Sequence, residues 1–110
     1  MPQLHQKKCI PCTIGTPPLS SKQAGELLTQ LDQKWQLTSD SHLKRDFTFN
    51  DFMSALDFAN QVGIIAEAEG HHPNLFITWG SCQIEIWTHK INGLSESDFV
   101  LAAKIDQLSS

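Results

Sequence analysis

Residues 75–89 read LFITWGSCQIEIWTH, and this stretch decides the fold because two apolar runs flank a short glycine turn. Residues 75–79 and 82–89 are rich in β-branched and aromatic side chains, which favour strands. Gly80-Ser81 between them suits a two-residue hairpin turn. The stretch therefore predicts an antiparallel β-hairpin.

A second hairpin is predicted upstream, with strands at residues 35–38 and 43–49 and a polar turn at 39–42. In its second strand Leu43, Phe47 and Phe49 alternate with polar residues, as in a half-buried strand, although Arg45 falls on the apolar side. The chain thus supplies four strands in two hairpins.

Helices are predicted before, between and after these hairpins. Ser20 and Gln23 form a capping box for a first helix that ends before residue 35. Asn50 is the predicted N-cap of a long helix over 51–69, and Gly70 suits its left-handed end.

The last helix is predicted to open at Ser95, which forms a second capping box with Asp98. The resulting order, α-β-β-α-β-β-α, predicts an α+β domain in which three helices cover one face of a four-stranded antiparallel sheet. Residues 1–19 contain four of the five prolines and are predicted to form an irregular arm, with residues 20–110 as a single domain.

Composition excludes several classes of protein. The 110 residues carry a net charge of −4, with 8 basic against 12 acidic side chains and no dense basic cluster, so we expect no direct nucleic-acid binding. No apolar run approaches the roughly 20 residues that span a bilayer, so no membrane association is expected. Three cysteines, an odd number, argue against a secreted disulfide framework, and a cytoplasmic protein is predicted.

The predicted hairpin brings three histidines together. Pairing around Gly80-Ser81 sets Ile77 opposite Ile84 and Leu75 opposite Ile86. This register places Pro73 near Thr88 and His72 nearly opposite His89, and His71 precedes His72 directly. Imidazoles exchange protons near neutral pH, so the trio indicates general acid–base chemistry. A zinc site with an open position, or three solvated loop-end residues, remain as alternatives.

Other side chains near this trio are candidates for supporting roles. Glu67 lies four residues before His71 and would orient its ring if the helix continued that far. Trp35, Trp79 and Trp87 offer flat surfaces for a planar heterocycle, although such residues at strand positions more often belong to a core.

Cys9 and Cys12 form a C-x-x-C pair in the arm. Such a pair serves as half of a zinc site or as a redox dithiol, although two reduced thiols on the arm fit the proline-rich context better. A complete structural zinc site needs four ligands, and Cys82 lies inside a predicted strand.

Together these motifs resemble one known family. The run at 67–73, EAEGHHP, followed by Trp79, Thr88-His89, Gly93-Leu94-Ser95 and Asp98, is similar to the pterin-4a-carbinolamine dehydratases. The resemblance extends from about Ser20 to Leu108. Many members have Asp before the paired histidines, where this chain has Gly70.

The resemblance implies a function. It implies a hydro-lyase that dehydrates 4a-hydroxytetrahydropterin to quinonoid dihydropterin without a cofactor, in a homodimer or homotetramer linked to an aromatic amino acid hydroxylase. Carried over by position, the catalytic residues are His71, His72 and His89. The residues implied to bind or orient substrate are Glu67, Pro73, Trp35, Thr88 and Asp98. The alternative is an oligomeric accessory module, a partner-enzyme chaperone or dimerisation cofactor, with catalysis secondary.

Overall fold

The computed structural model describes residues 3–9 and 17–108. Three helices and four strands follow in the predicted order: α1 Ser21–Leu28, β1 Gln36–Leu37, β2 Leu43–Thr48, α2 Phe52–Glu69, β3 Asn74–Thr78, β4 Ser81–Ile86 and α3 Glu96–Leu108. Neither α2 nor any shorter helix in residues 3–9 and 17–108 combines the length and apolar character needed to cross a bilayer.

The four strands form one antiparallel sheet in the order β1-β2-β4-β3. Cys82, Ile84 and Ile86 alternate along β4 on the face that the helices cover, and none of them is exposed. Period-two burial of this kind is the mark of a sheet with one packed face. The α+β prediction, with helices on one face, is confirmed.

The long helix α2 begins one residue later than its predicted cap implied. Asp51, not Asn50, is the N-cap, and its carboxylate accepts the backbone N–H of Ser54 at 2.7 Å. Ala55, Ala59, Val62 and Ala66 form the buried stripe of α2. The prediction of a left-handed end is confirmed, because Gly70 has φ +66°.

The first helix is shorter than predicted. Ser20 and Gln23 form the expected capping box, but α1 ends at Leu28 and the chain turns before residue 35. The strand predicted at 35–38 reduces to Gln36–Leu37. Leu31 is nevertheless buried, so the apolar spacing identified a core residue beyond the helix itself.

The described part of the N-terminal arm packs against α3. Leu4–Gln6 form one turn of 3₁₀ helix, and Leu4 is only 4% exposed. The backbone carbonyl of His5 accepts a hydrogen bond from Lys104 Nζ at 2.9 Å. Residues 3–9 therefore contribute to the core of the domain.

Candidate active site

The end of α2 fixes the position of His71. Gly70 turns the chain out of the helix, and the N–H of His71 donates to the carbonyl of Ala66 at 3.1 Å. This bond satisfies one of the carbonyls that a helix end leaves without a partner. The imidazole then reaches the first turn of α3, where its Nε2 lies 2.5 Å from Oδ1 of Asp98.

Asp98 is a fully buried acid that joins three segments of the chain. Its Oδ2 accepts the N–H of Ser95 and the hydroxyl of Thr88, both at 2.8 Å, while Oδ1 faces His71. A buried carboxyl group is costly unless hydrogen bonds compensate for lost water, and here both oxygens have partners. Asp98 therefore connects the end of α2, the residue after β4 and the start of α3.

The contact with Asp98 also selects the tautomer of His71. A carboxylate accepts hydrogen bonds and does not donate them, so Nε2 of His71 carries the hydrogen. In the neutral ring this leaves Nδ1 with a free lone pair. The pair is chemically suited to move a proton at Nδ1, because the carboxylate stabilises the imidazolium that results.

His72 has a separate carboxylate partner. Its Nε2 lies 2.6 Å from Oε1 of Glu67, with both side chains mostly exposed. The condition for a contact of Glu67 with His71 is not met, because α2 stops at Gly70 and the left-handed turn directs His71 towards α3 instead. An exposed pair of this kind adds little stability, but the contact restricts the orientation of the His72 ring.

The predicted register of the β3–β4 hairpin is wrong by two residues. Ile77 pairs with Cys82 and Leu75 with Ile84, so the turn is Trp79-Gly80 rather than Gly80-Ser81. Gly80 has φ +76°, and this left-handed position is the second residue of the turn. The shift removes the expected juxtapositions of Pro73 with Thr88 and of His72 with His89.

His89 does not close β4 as predicted. The strand ends at Ile86, and His89 opens a 3₁₀ turn that runs to Ile91. Its ring packs on Trp87, with centroids 4.3 Å apart. Among residues 3–9 and 17–108 no imidazole of the trio contacts another, but Thr88, next to His89, shares Asp98 with His71.

Trp35 lies away from these histidines, in the core. It is 2% exposed, and its indole N–H donates to Oδ1 of Asp106 at 2.7 Å. Asp106 lies two turns along α3 from Asp98, about 12 Å at the rise of an α-helix. The structure therefore gives Trp35 no open face on which a heterocycle could stack.

Pro73 lies at a depression on the outer face of the β3–β4 hairpin. The depression has a volume of about 450 Å³, and Glu85 lies on its β4 side. Of the residues predicted to bind or orient substrate, Pro73 is the one that lines this depression.

Cys9 packs where the arm meets the last turn of α2. Its N–H donates to Oε1 of Glu69 at 2.8 Å, and its Sγ lies 3.5 Å from the carbonyl of Ser97. Burial, reinforced by Glu69, raises the pKa of the Cys9 thiol to about 12. A protonated thiol is a poor metal ligand and nucleophile. Cys12 lies outside the described residues, so the role of the C-x-x-C pair stays a prediction.

The alternative of a metal site is not supported by the side chains of the described residues. No group of three or more His, Cys, Asp or Glu side chains within residues 3–9 and 17–108 is placed to hold a metal ion. The rings of the trio point to three different partners: Asp98 for His71, Glu67 for His72 and Trp87 for His89.

One group near the trio was missed by the sequence analysis. His42 stacks on Trp87, with centroids 3.9 Å apart and an interplanar angle of 6°. The two rings meet because β2 pairs with β4, an arrangement that requires the sheet order. If the pairing of Leu43 with Ile86 had been known, extending it by one residue would have placed His42 beside Trp87. No feature of either strand alone specifies that the two strands pair.

Comparison with known proteins agrees with the geometry. The family model described as pterin 4 alpha carbinolamine dehydratase matches residues 17–108. A protein of Rickettsia canadensis (strain McKiel) that carries this dehydratase name is 56% identical over 96% of the chain and 97% of its own length. One from Alkaliphilus metalliredigens (strain QYMF) is 51% identical over 100% of this chain and 99% of its own.

A solved structure gives the same result. The crystal structure of a protein from Brucella melitensis, described as a transcriptional coactivator/pterin dehydratase, superposes with a TM-score of 0.79 at 31% identity. The match covers 84% of this chain and 99% of the Brucella chain. The chain therefore belongs to the pterin 4 alpha carbinolamine dehydratase family.

Proposed function

We propose that this protein removes water from 4a-hydroxytetrahydropterin, giving quinonoid dihydropterin, by histidine acid–base catalysis in tetrahydropterin recycling. The observation that carries the proposal is the pair of His71 and Asp98, 2.5 Å apart, with Asp98 fully buried. Family membership supports the dehydratase class. The contact between His71 and Asp98 supports acid–base catalysis by histidine.

The reaction needs two proton transfers and no change of oxidation state overall. The C4a–O bond breaks and its electrons leave with the oxygen, which takes a proton from an imidazolium and departs as water. A neutral imidazole accepts the N5 proton, and the N5–H electrons form the N5=C4a bond. Positioned acid and base groups together typically accelerate such steps by about 10²–10⁴-fold.

The contacts of the three histidines favour different roles. His71 can exchange a proton at Nδ1 while Asp98 stabilises its charged form. His72 is held by Glu67 and precedes Pro73, so its mostly exposed ring is oriented and accessible to a substrate. His89 is exposed at the start of its 3₁₀ turn, so its ring is accessible to a substrate.

Stopped-flow assays with freshly generated 4a-hydroxytetrahydropterin test the proposal. We expect His71→Ala, His72→Ala and His89→Ala each to lower the dehydration rate by about tenfold or more with unchanged circular dichroism. His5→Ala is the matched control, because the structural contact of His5 is made by its backbone carbonyl. Wild-type rates in all three variants would refute the proposed catalysis.

An accessory binding role is the second candidate. It is favoured by large apolar side chains left exposed on α2 and beside β3, notably Ile64 and Trp79, which are 71% and 73% exposed. The partner expected is an aromatic amino acid hydroxylase. A stable complex with a purified hydroxylase that survives His72→Ala would support this role, and the absence of any complex with wild-type protein would remove it.

A further inference from the structure

Trp87 contacts two histidines that lie far apart in the sequence. The ring of His42 stacks on it at 3.9 Å with an interplanar angle of 6°. The ring of His89 packs on it at 4.3 Å and 33°. Aromatic rings at these distances restrict each other's orientation.

The pairing of β2 with β4 brings the rings of His42 and Trp87 together. Leu43 pairs with Ile86, so one further step in the same register brings His42 beside Trp87. Trp87 directly follows Ile86, the last residue of β4, and its partly buried side chain packs against the hydrophobic core. His89 follows two residues later, where the chain turns into its 3₁₀ helix.

His42 is itself firmly held. Its Nδ1 lies 2.6 Å from Oε2 of Glu85, its N–H donates to Oγ1 of Thr38 at 3.1 Å, and its carbonyl accepts the N–H of Thr38 at 2.8 Å. Its side chain is only 13% exposed. Both the backbone and the ring of His42 are therefore fixed, and it supports Trp87 from a rigid base.

His89 has no comparable support of its own. Within residues 3–9 and 17–108 its ring makes no hydrogen bond, and the contact with Trp87 is its one interaction with another ring. His71 and His72, by contrast, each have a carboxylate partner. The orientation of the His89 imidazole therefore depends on the indole.

We propose that His42 and Trp87 are positioning residues for His89, holding its ring in the orientation that proton transfer requires. The inference rests on the proposed function of His89. Glu85 fixes His42, His42 fixes the plane of Trp87, and Trp87 fixes His89. A misplaced catalytic group slows the chemical step without weakening substrate binding. We therefore expect kcat to fall.

Kinetics of matched variants test the proposal. We expect Trp87→Leu to lower kcat roughly 10- to 100-fold with little change in KM, and His42→Leu to act in the same direction. Trp87→Phe keeps a flat ring and should restore most of the rate. Phe52→Leu is the control, since it removes an aromatic ring that is 44% exposed at the start of α2. Unchanged kcat in both Trp87→Leu and His42→Leu would overturn the proposal.

NMR of the histidine ring protons separates this proposal from the proposed function. The indole ring current should shift the His89 ring protons upfield in the wild type, and Trp87→Leu should move them towards the position of a free histidine. The same spectra report whether each variant is folded. Unshifted His89 signals in wild type would overturn the positioning proposal, whereas shifted signals in a wild-type protein that dehydrates no substrate would refute the proposed function instead.

Discussion

At the scale of single residues, Asp98 matters most because both of its oxygens serve the site. Its Oδ1 selects the tautomer of His71, and its Oδ2 caps the start of α3 through Ser95 and holds Thr88. In the proposed mechanism, one buried side chain thus combines a chemical and an architectural task. The two tasks can be separated by changing its charge without changing its shape.

We expect Asp98→Asn to lower the dehydration rate by about 10²–10⁴-fold while the protein stays folded. The amide oxygen can still accept from Ser95, but the amide no longer stabilises an imidazolium at His71. Stopped-flow rates and thermal melting measure the two effects separately. Asp57→Asn, at an exposed acid on α2, should leave both unchanged. A fully active Asp98→Asn protein would contradict the role of the pair.

At the scale of elements, the start of α2 is determined by Asp51. Its carboxylate accepts the N–H of Ser54. Hydrogen bonding with Ser54 lowers the pKa of Asp51 below its ordinary value of 3.8. A carboxyl group whose pKa is lowered in the folded state stabilises the fold at pH values above its ordinary pKa. That contribution disappears as the pH falls through the folded-state value.

We expect Asp51→Ala to lower the melting temperature at pH 7 by roughly a few degrees. The difference from wild type should shrink as the pH falls below 3.8, the ordinary pKa of this group. Asn50→Ala is the matched control, because Asn50 precedes the cap and should have little effect. Melting followed by circular dichroism across this pH range measures both variants. A larger loss from Asn50→Ala would contradict the assignment of the cap.

How far the elements could be predicted depends on whether their signals are local. The Ser20–Gln23 capping box and the left-handed Gly70 were predicted from neighbouring residues, because each satisfies backbone groups within one turn. The β3–β4 register was not, since Gly80 fits either position of a two-residue turn. The contacts within the site could not be predicted for the same reason. The contact between Asp98 and His71 is not local, because it depends on how α3 packs on the sheet.

At the scale of the whole molecule, exposed apolar side chains lie on two surfaces. Ile64 and Met53 lie on α2, while Phe76 and Trp79 lie on the edge strand β3 and its turn. A small domain with exposed apolar residues and an unpaired sheet edge is stabilised by symmetric association. These features support the homodimer or homotetramer that the family resemblance implies, and we propose that the protein associates in this way.

We expect a solution mass of two or four times the 12.3 kDa of one chain. Light scattering coupled to size-exclusion chromatography measures it directly. Ile64→Lys should lower the mass if α2 forms an interface, and Trp79→Lys should lower it if the β3 turn does. Lys22→Glu, at an exposed position of α1, serves as the control. A wild-type protein that elutes as a single chain would contradict the proposal.

The packing of the N-terminal arm has a consequence for engineering the chain. Gln3 and Gln107 line the same cavity, so the first and last described segments lie side by side at the far end of α3 from Asp98. Nearby ends are what circular permutation requires. A permuted chain that joins residue 108 to residue 3 through a short linker and opens at the exposed turn between Ser39 and Asp40 should therefore retain the His71–Asp98 pair.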